Sequence, residues 1–154
     1  MTLVIFGGAG DLAHRKLLPA LYNLFVDGLL PGHFVVVGVG RKDFSDDGYR
    51  AFARDGVQQF SRRPIDEKYW TEFAKLLYFV NADITAENAF ATIGSRLDVI
   101  EHEQGRTSDR IYYMAIPPSL FIPTVEQLAR ARFVAPMNGR PIARVIVEKP
   151  IGQD

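Results

Sequence analysis

An α/β fold built on one doubly wound parallel sheet is the architecture this sequence predicts, and three observations carry it. Five short apolar runs, Thr2–Phe6, Phe34–Val39, Leu76–Asn81, Arg110–Ile116 and Ile142–Val147, are rich in Val, Ile, Leu, Tyr and Phe and mostly lack polar alternation. Strands buried on both faces of a parallel sheet read this way. The segments between them are long enough for crossover helices and repeat their apolar residues at helical spacing. A glycine cluster, Gly7, Gly8 and Gly10, joins the first strand to the first helical stretch. Right-handed crossovers then give the strand order 3-2-1-4-5, with a crevice between the first and fourth strands. The chain stops soon after its last strand with no covering helix. The expectation is a single domain over residues 1–154, its sheet incomplete at the C-terminal end, belonging to a truncated polypeptide.

Each helix has its own signals. Leu17, Leu18, Leu21, Leu24 and Phe25 form one stripe that stops at Asp27-Gly28, a C-cap pattern. Pro19 interrupts it, so the helix kinks or restarts there with Pro19 in a first turn. Tyr49, Phe52, Ala53, Val57 and Phe60 make a second stripe before Pro64, and Asp66 opens a short helix with Tyr69, Trp70 and Phe73. Thr85 and Asn88 start a helix bearing Phe90, Ile93, Leu97 and Ile100; Pro117-Pro118-Ser119 turns into another with Val125, Leu128, Ala129 and Arg132. Pro136–Gly139 is loop.

Composition narrows the function classes. Lys plus Arg equals Asp plus Glu, 18 each, so no global field favours nucleic acid or an anionic membrane, and any preference for anions must be local. The sequence has no cysteine, which excludes disulfides and Cys-ligated metal and fits the reducing cytoplasm. No apolar run is long enough to span a bilayer, and the N-terminus already reads as strand rather than signal peptide.

In open α/β sheets ligands bind beyond the carboxyl ends of the strands, so the residues after each strand are the candidates. A glycine turn between strand and helix suits a dinucleotide pyrophosphate, because missing side chains let backbone approach and the helix start offers N–H groups. The loop parses as G-x-G-x-x-A (Gly8, Gly10, Ala13) or G-x-x-G-x-x-A (Gly7, Gly10, Ala13); a plain tight corner is the competing reading. After the second strand, where NAD sites carry a carboxylate for the ribose, the chain places Arg41 and Lys42, which suits the 2′-phosphate of NADP. Charge-assisted hydrogen bonds contribute about 1.5–3 kcal/mol each, enough to prefer NADP by about ten- to a thousandfold. Asp43 as a late ribose ligand, or a solvated loop charge, are the alternatives. Asp83, followed by Ile84, either reaches the adenine amino group or caps the helix near Thr85. Pro117-Pro118 either lines the nicotinamide side or simply stops the fourth strand. Glu148-Lys149 either points a lysine into the crevice or is a surface ion pair before Pro150.

These residues together match a known pattern. Gly7 to Leu21 (GGAGDLAHRKLLPAL) resembles the G-x-x-G-D-L-A-x-R-K-L-x-P-x-L signature of the glucose-6-phosphate dehydrogenase family. Asp27–Pro31, Val37–Arg41, Arg110–Pro118 and Glu148–Asp154 resemble the same family in the same order. Ile151 stands where Phe is usual, and His14 where Lys or Arg is common. The resemblance implies a Rossmann-like fold and, for the parent enzyme, NADP-linked oxidation of glucose 6-phosphate to 6-phosphogluconolactone. It implies that Gly7, Gly8, Ala9, Gly10, Asp11, Leu12 and His14 form the pyrophosphate loop and that Arg41, with Lys42, binds the 2′-phosphate. Asp83 and Ile84 then lie on the adenine side, with Tyr113 and Pro117 beside the cofactor. Lys149 contacts both nicotinamide ribose and sugar, and Lys16 the substrate. No metal is implied.

The family's catalytic histidine motif, R-I-D-H-Y-x-G-K, and its phosphate-binding His-Tyr-x-x-K are absent from this sequence. His14, His33 and His102 lie in a helix start, before the second strand and in a polar helix end, none of them fit to replace that base. The expectation is a chain that binds cofactor without turning over, from a parent that is a homo-oligomer through a domain not present here. Two other readings compete. A sugar dehydrogenase of the Gfo/Idh/MocA type also ends a strand in Glu-Lys-Pro, but Gly10–Ala13 and Lys16 argue against it. A non-enzymatic NADP-binding module would also lack the base.

Overall fold

The computed structural model describes residues 1–105, 109–131 and 143–148. Five parallel strands, β1 (Thr2–Phe6), β2 (Val35–Gly40), β3 (Leu77–Asn81), β4 (Arg110–Met114) and β5 (Ala143–Ile146), form one sheet in the order β3-β2-β1-β4-β5. The helices are α1 (Leu18–Val26), α2 (Asp46–Phe60), α3 (Glu67–Ala74), α4 (Ala89–Glu103) and α5 (Phe121–Arg130). The expected strand order holds.

Apolar runs become central strands because both of their faces find partners. Every residue of β1 is buried. Leu3 and Ile5 pack with Val36, Leu77 and Phe79 under α1, α2 and α3, and Val4 and Phe6 pack with Val37, Val39 and Tyr112 under α4 and α5. Alternate residues from Leu3 to Phe6 thus serve two separate cores, which leaves that run wholly apolar.

Local chemistry sets the helix ends. Ser45 caps α2 by accepting from the Gly48 N–H at 3.0 Å, and Asp66 caps α3 by accepting from the Lys68 N–H at 3.0 Å. Gly28, at φ +69°, supplies the left-handed residue just past α1. The fourth helix begins at Ala89 rather than near Thr85, and Asn88 makes no side-chain cap. The Asp83 carboxylate instead accepts from the Thr85 N–H (2.9 Å) and hydroxyl (2.6 Å), closing a turn before the helix. β4 ends at Met114, two residues earlier than its apolar run implies, as the chain turns toward Pro117 and Pro118. Arg132, Pro136–Gly139, Ile142 and the Lys149–Asp154 tail lie outside the described residues.

The restart expected at Pro19 takes a specific form. Residues Ala13–Leu17 are a π-helical turn, in which the Leu18 N–H reaches back five residues to the Ala13 carbonyl, and α1 follows with Pro19 in its first turn. A proline ring in a continuous α-helix would press on the carbonyl four residues back, that of Arg15. The wider turn relieves that clash, and five-residue spacing sets Pro19, which has no N–H, opposite the His14 carbonyl.

Candidate functional site

The parallel register fixes which loops meet. Phe6 pairs with Val39 and with Met114, and Gly40 pairs with Asn81. The segments that follow, beginning at Gly7, Arg41, Ala82 and Ala115, therefore leave the same end of the sheet. Between them lies a cleft of about 610 Å³, of the size that takes a small organic ligand. Gly7, Ala9 and Gly10 wall it on the β1 side and Gly40, Arg41 and Lys42 on the β2 side. Ala82, Asp83, Ile84 and Thr85 close it beyond β3, and Ala115, Ile116, Pro117 and Leu120 beyond β4.

The glycines do different jobs. Gly7 has φ +80°, and a Cβ there would drive into the Ala115 carbonyl, so only glycine joins β1 to the loop beside β4. A Cβ on Gly8 would lie 2.6 Å from the Gly38 Cα. Gly8 is buried against β2, and its carbonyl accepts the Tyr49 hydroxyl at 2.9 Å. Gly10 is exposed on the cleft wall. Of the two parses, Gly7 and Gly10 are the pair that face the cleft, and Gly8 is a packing residue. The loop's amides are also partly spent. The Gly7 and Gly8 N–H groups share the Val39 carbonyl at 2.9 and 3.0 Å, and the Gly10 N–H donates to the Gly7 carbonyl at 3.0 Å. The glycines remove side chains from the wall more than they present donors to it.

Arg41 and Lys42 are exposed, and among the described residues neither has an ion-pair partner within 4.0 Å. Asp83 faces them from the β3 side. The hydrogen bonds from the Thr85 hydroxyl and N–H, and then the positive Arg41, hold its carboxyl below the usual carboxylate range. Asp43 is exposed and is not part of the cleft wall.

Several expected site residues lie elsewhere. Tyr113 is buried in the core under α1 and α2, because its position in β4 points to that face. Its hydroxyl has no hydrogen-bond partner among the described residues, and burial, then the neighbouring Glu148 carboxylate, push its pKa up. Leu12 packs half-buried on the same core. Asp11 is exposed and pairs with Arg15 at 3.4 Å one turn on. Lys16 is exposed on the π-helical turn and is not part of the wall. Lys149 lies outside the described residues. His14 is paired with Asp55 at 2.7 Å, and His33 and His102 are exposed. Conversely, Ala82, Thr85, Ala115, Ile116 and Leu120 line the cleft without having been expected. Ala82 and Ala115 follow directly from the register, which puts each first residue after a strand at the cleft rim. Thr85 and Leu120 depend on how their turns close, which carries no periodic signal.

A family model described as "Glucose-6-phosphate dehydrogenase, NAD binding domain" matches residues 4–154. This chain belongs to the glucose-6-phosphate dehydrogenase family. Among curated relatives, the glucose-6-phosphate 1-dehydrogenase of Dickeya dadantii is 39% identical over 150 residues, covering 97% of this chain and 28% of its own. Glucose-6-phosphate 1-dehydrogenase 2 of Mycobacterium bovis is 36% identical over 152 residues, covering 99% of this chain and 29% of its own. The crystal structure of glucose-6-phosphate 1-dehydrogenase from Mycobacterium avium superposes with a TM-score of 0.80 at 31% identity, over 99% of this chain and 30% of that one. This chain thus spans under a third of the length of the family members it matches. The family match carries the glycine loop, Arg41 and the tail through Asp154 together, as the signature residues foreshadowed.

Proposed function

We propose that this chain binds NADP in the cleft and forms the cofactor-holding part of a glucose-6-phosphate dehydrogenase. Such an enzyme oxidises D-glucose 6-phosphate at C1 to 6-phospho-D-glucono-1,5-lactone, and NADP supplies the hydride acceptor. The observation that carries the reading is the placement of Gly7 and Gly10 on one wall of the cleft and of Arg41 and Lys42, two cations without an ion-pair partner among the described residues, on the adjoining wall. A dinucleotide laid across the sheet end would put its pyrophosphate over the bare glycine backbone and its adenosine 2′-phosphate against the guanidinium. Ile84 and Thr85 would bound the adenine, and Pro117 and Leu120 the nicotinamide side. Asp83 stays anionic at neutral pH and sets the edge beyond which a second negative group is repelled.

In this reading the chain's residues bind and orient the cofactor and keep one face of it dry. Lys149, which follows Glu148 in sequence, is the proposed contact to substrate, with Lys16 as a second cation toward the sugar phosphate. The base that takes the C1 hydroxyl proton is proposed to lie in sequence beyond this chain, as is the domain through which the parent enzyme forms a homo-oligomer. Residues 1–154 are then one NADP-binding domain, with an expected home in the cytoplasm, consistent with a sequence free of cysteine. No helix among the described residues is long and apolar enough to cross a membrane.

Calorimetric titration tests the cofactor reading directly. The chain is expected to bind NADP more tightly than NAD, and Arg41→Ala to weaken NADP by about ten- to a hundredfold while leaving NAD nearly unchanged, the loss of one or two charge-assisted hydrogen bonds. Equal loss of both cofactors would remove Arg41 from the 2′-phosphate. The 154-residue chain alone is expected to produce no NADPH from glucose 6-phosphate, and measurable turnover would contradict the assignment of the base to sequence beyond it.

A further inference from the structure

The π-helical turn after the glycine loop is gripped from outside the cleft. The His14 Nε2 lies 2.7 Å from an Asp55 carboxylate oxygen on α2, and Gln59 donates to that same oxygen at 2.8 Å. The imidazole rests on Phe52 and Phe60, with ring centroids 4.8 and 5.7 Å away, and the Arg15 guanidinium covers the outer face of Phe60 at 5.2 Å. One residue past Asp55, Gly56 is buried so closely against the His14 carbonyl that any Cβ there would collide with it. A glycine at 56 thus lets the α2 backbone lie directly against the π-helical turn.

The grip continues into the cleft through the main chain. The His14 N–H donates to the Gly10 carbonyl at 3.1 Å, and the Gly10 N–H donates to the Gly7 carbonyl at 3.0 Å. Asp55, His14, Gly10 and Gly7 therefore form one connected series running from a helix surface remote from the ligand to the wall that faces it. The π turn interrupts the α-helical ladder, and the His14–Asp55 pair ties its start to α2 from the side.

We propose that His14 and Asp55 are positioning residues for the cofactor loop, holding the π-helical turn at the rotation that keeps Gly10 and Gly7 on the cleft wall. Neither lines the cleft. The inference rests on the reading of the cleft as an NADP site for its affinity consequence, but not for its structural one. His14→Ala and Asp55→Ala are each expected to weaken NADP by about tenfold, with little further loss in the double variant, because both remove the same coupling. His14→Gln, whose side-chain amide can donate to Asp55 in place of the imidazole, is expected to restore most of the affinity, which a purely space-filling role would not explain.

A spectroscopic readout separates this inference from the functional one. In the unliganded 154-residue chain, Asp55→Ala is expected to shift the backbone amide resonances of Gly10 and His14 while the amides of β3 stay in place. Asp55 is half-exposed, so this variant keeps the fold even if His14→Ala does not. Unmoved Gly10 and His14 resonances would overturn the clamp whatever the binding data say. Shifted resonances with unchanged NADP affinity would also overturn the positioning role. A wild-type chain that fails to bind NADP at all would fault the proposed function, and the Gly10 shift would then decide the clamp alone.

Discussion

The two ends of the sheet use the same kinds of side chain to opposite effect. At the amino ends of the strands, Arg110 is buried and fully engaged. Its guanidinium meets both Glu101 oxygens at 2.6 and 2.9 Å and Asp98 at 3.3 Å, and Thr2 donates to Glu101 at 3.0 Å. At the carboxyl ends, Arg41 and Lys42 are exposed on a cleft wall, and the carboxylate that faces them, Asp83, is occupied by Thr85. A guanidinium whose Nε and Nη2 already donate to two carboxylates has few donors left for a ligand. One left beside bare glycine backbone has all of them. Charge count alone does not separate the two ends; the state of pairing does. The amino end holds the sheet together, and the carboxyl end is where an anionic ligand fits.

That contrast breaks most severely at Gly7. Gly7→Ala places a side chain at φ +80° and into the Ala115 carbonyl, so a loss of about 4 kcal/mol of stability is expected together with loss of NADP binding. Denaturant titration and calorimetry measure the two. Glu101→Ala strikes the other end. It leaves the Arg110 guanidinium buried without its main partner, at a cost of about 3 kcal/mol, yet NADP affinity of the folded protein is expected to stay within about twofold, since the site lies across the sheet. A parallel fall in NADP affinity would show that the two ends are not independent.

A smaller effect sharpens the link between core and cleft. Tyr49 is buried on α2 and donates to the Gly8 carbonyl at 2.9 Å, so it holds the packing side of the same loop. Tyr49→Phe is expected to cost about 1 kcal/mol at neutral pH, the net worth of one buried hydrogen bond. Burial pushes the Tyr49 phenol pKa well up in the folded state. The stability this confers is complete below the unfolded value of about 10 and is lost as pH rises toward the folded value. Unfolding midpoints taken near pH 8 and about pH 11 should therefore converge between wild type and the Phe variant as pH rises. Parallel curves would exclude Tyr49 from the alkaline loss.

Much of this was legible in the sequence because the physics behind it is periodic or local. β1 reads as a strand from the apolar run Leu3–Phe6, and the 3-2-1-4-5 order follows from handed crossovers applied to five such runs. Arg41 and Asp83 were placed at the sheet's carboxyl end by counting from strand ends, and the cleft contains both. What the sequence hid was orientation. Gly8 and Gly10 are chemically identical, and only the approach of Gly38 to one of them makes it a packing residue. Tyr113 lies one residue before the cleft-side end of β4, and the two-residue alternation of a strand turns it into the core. The π turn was invisible for another reason. Pro19 signals a break, but no periodic pattern in the sequence says whether the chain kinks, restarts or widens there.

The central claim is that one cofactor touches the glycine loop and Arg41 at once. Two-dimensional nitrogen–proton spectra recorded with NADP and with adenosine 2′,5′-bisphosphate, which lacks the nicotinamide half, test it most directly. NADP is expected to shift both the Gly10 amide and the Arg41 side-chain Nε–H, and the bisphosphate to shift Arg41 strongly and Gly10 weakly. If NADP moves either one and leaves the other in place, a single ligand does not bridge the two walls and the account is wrong.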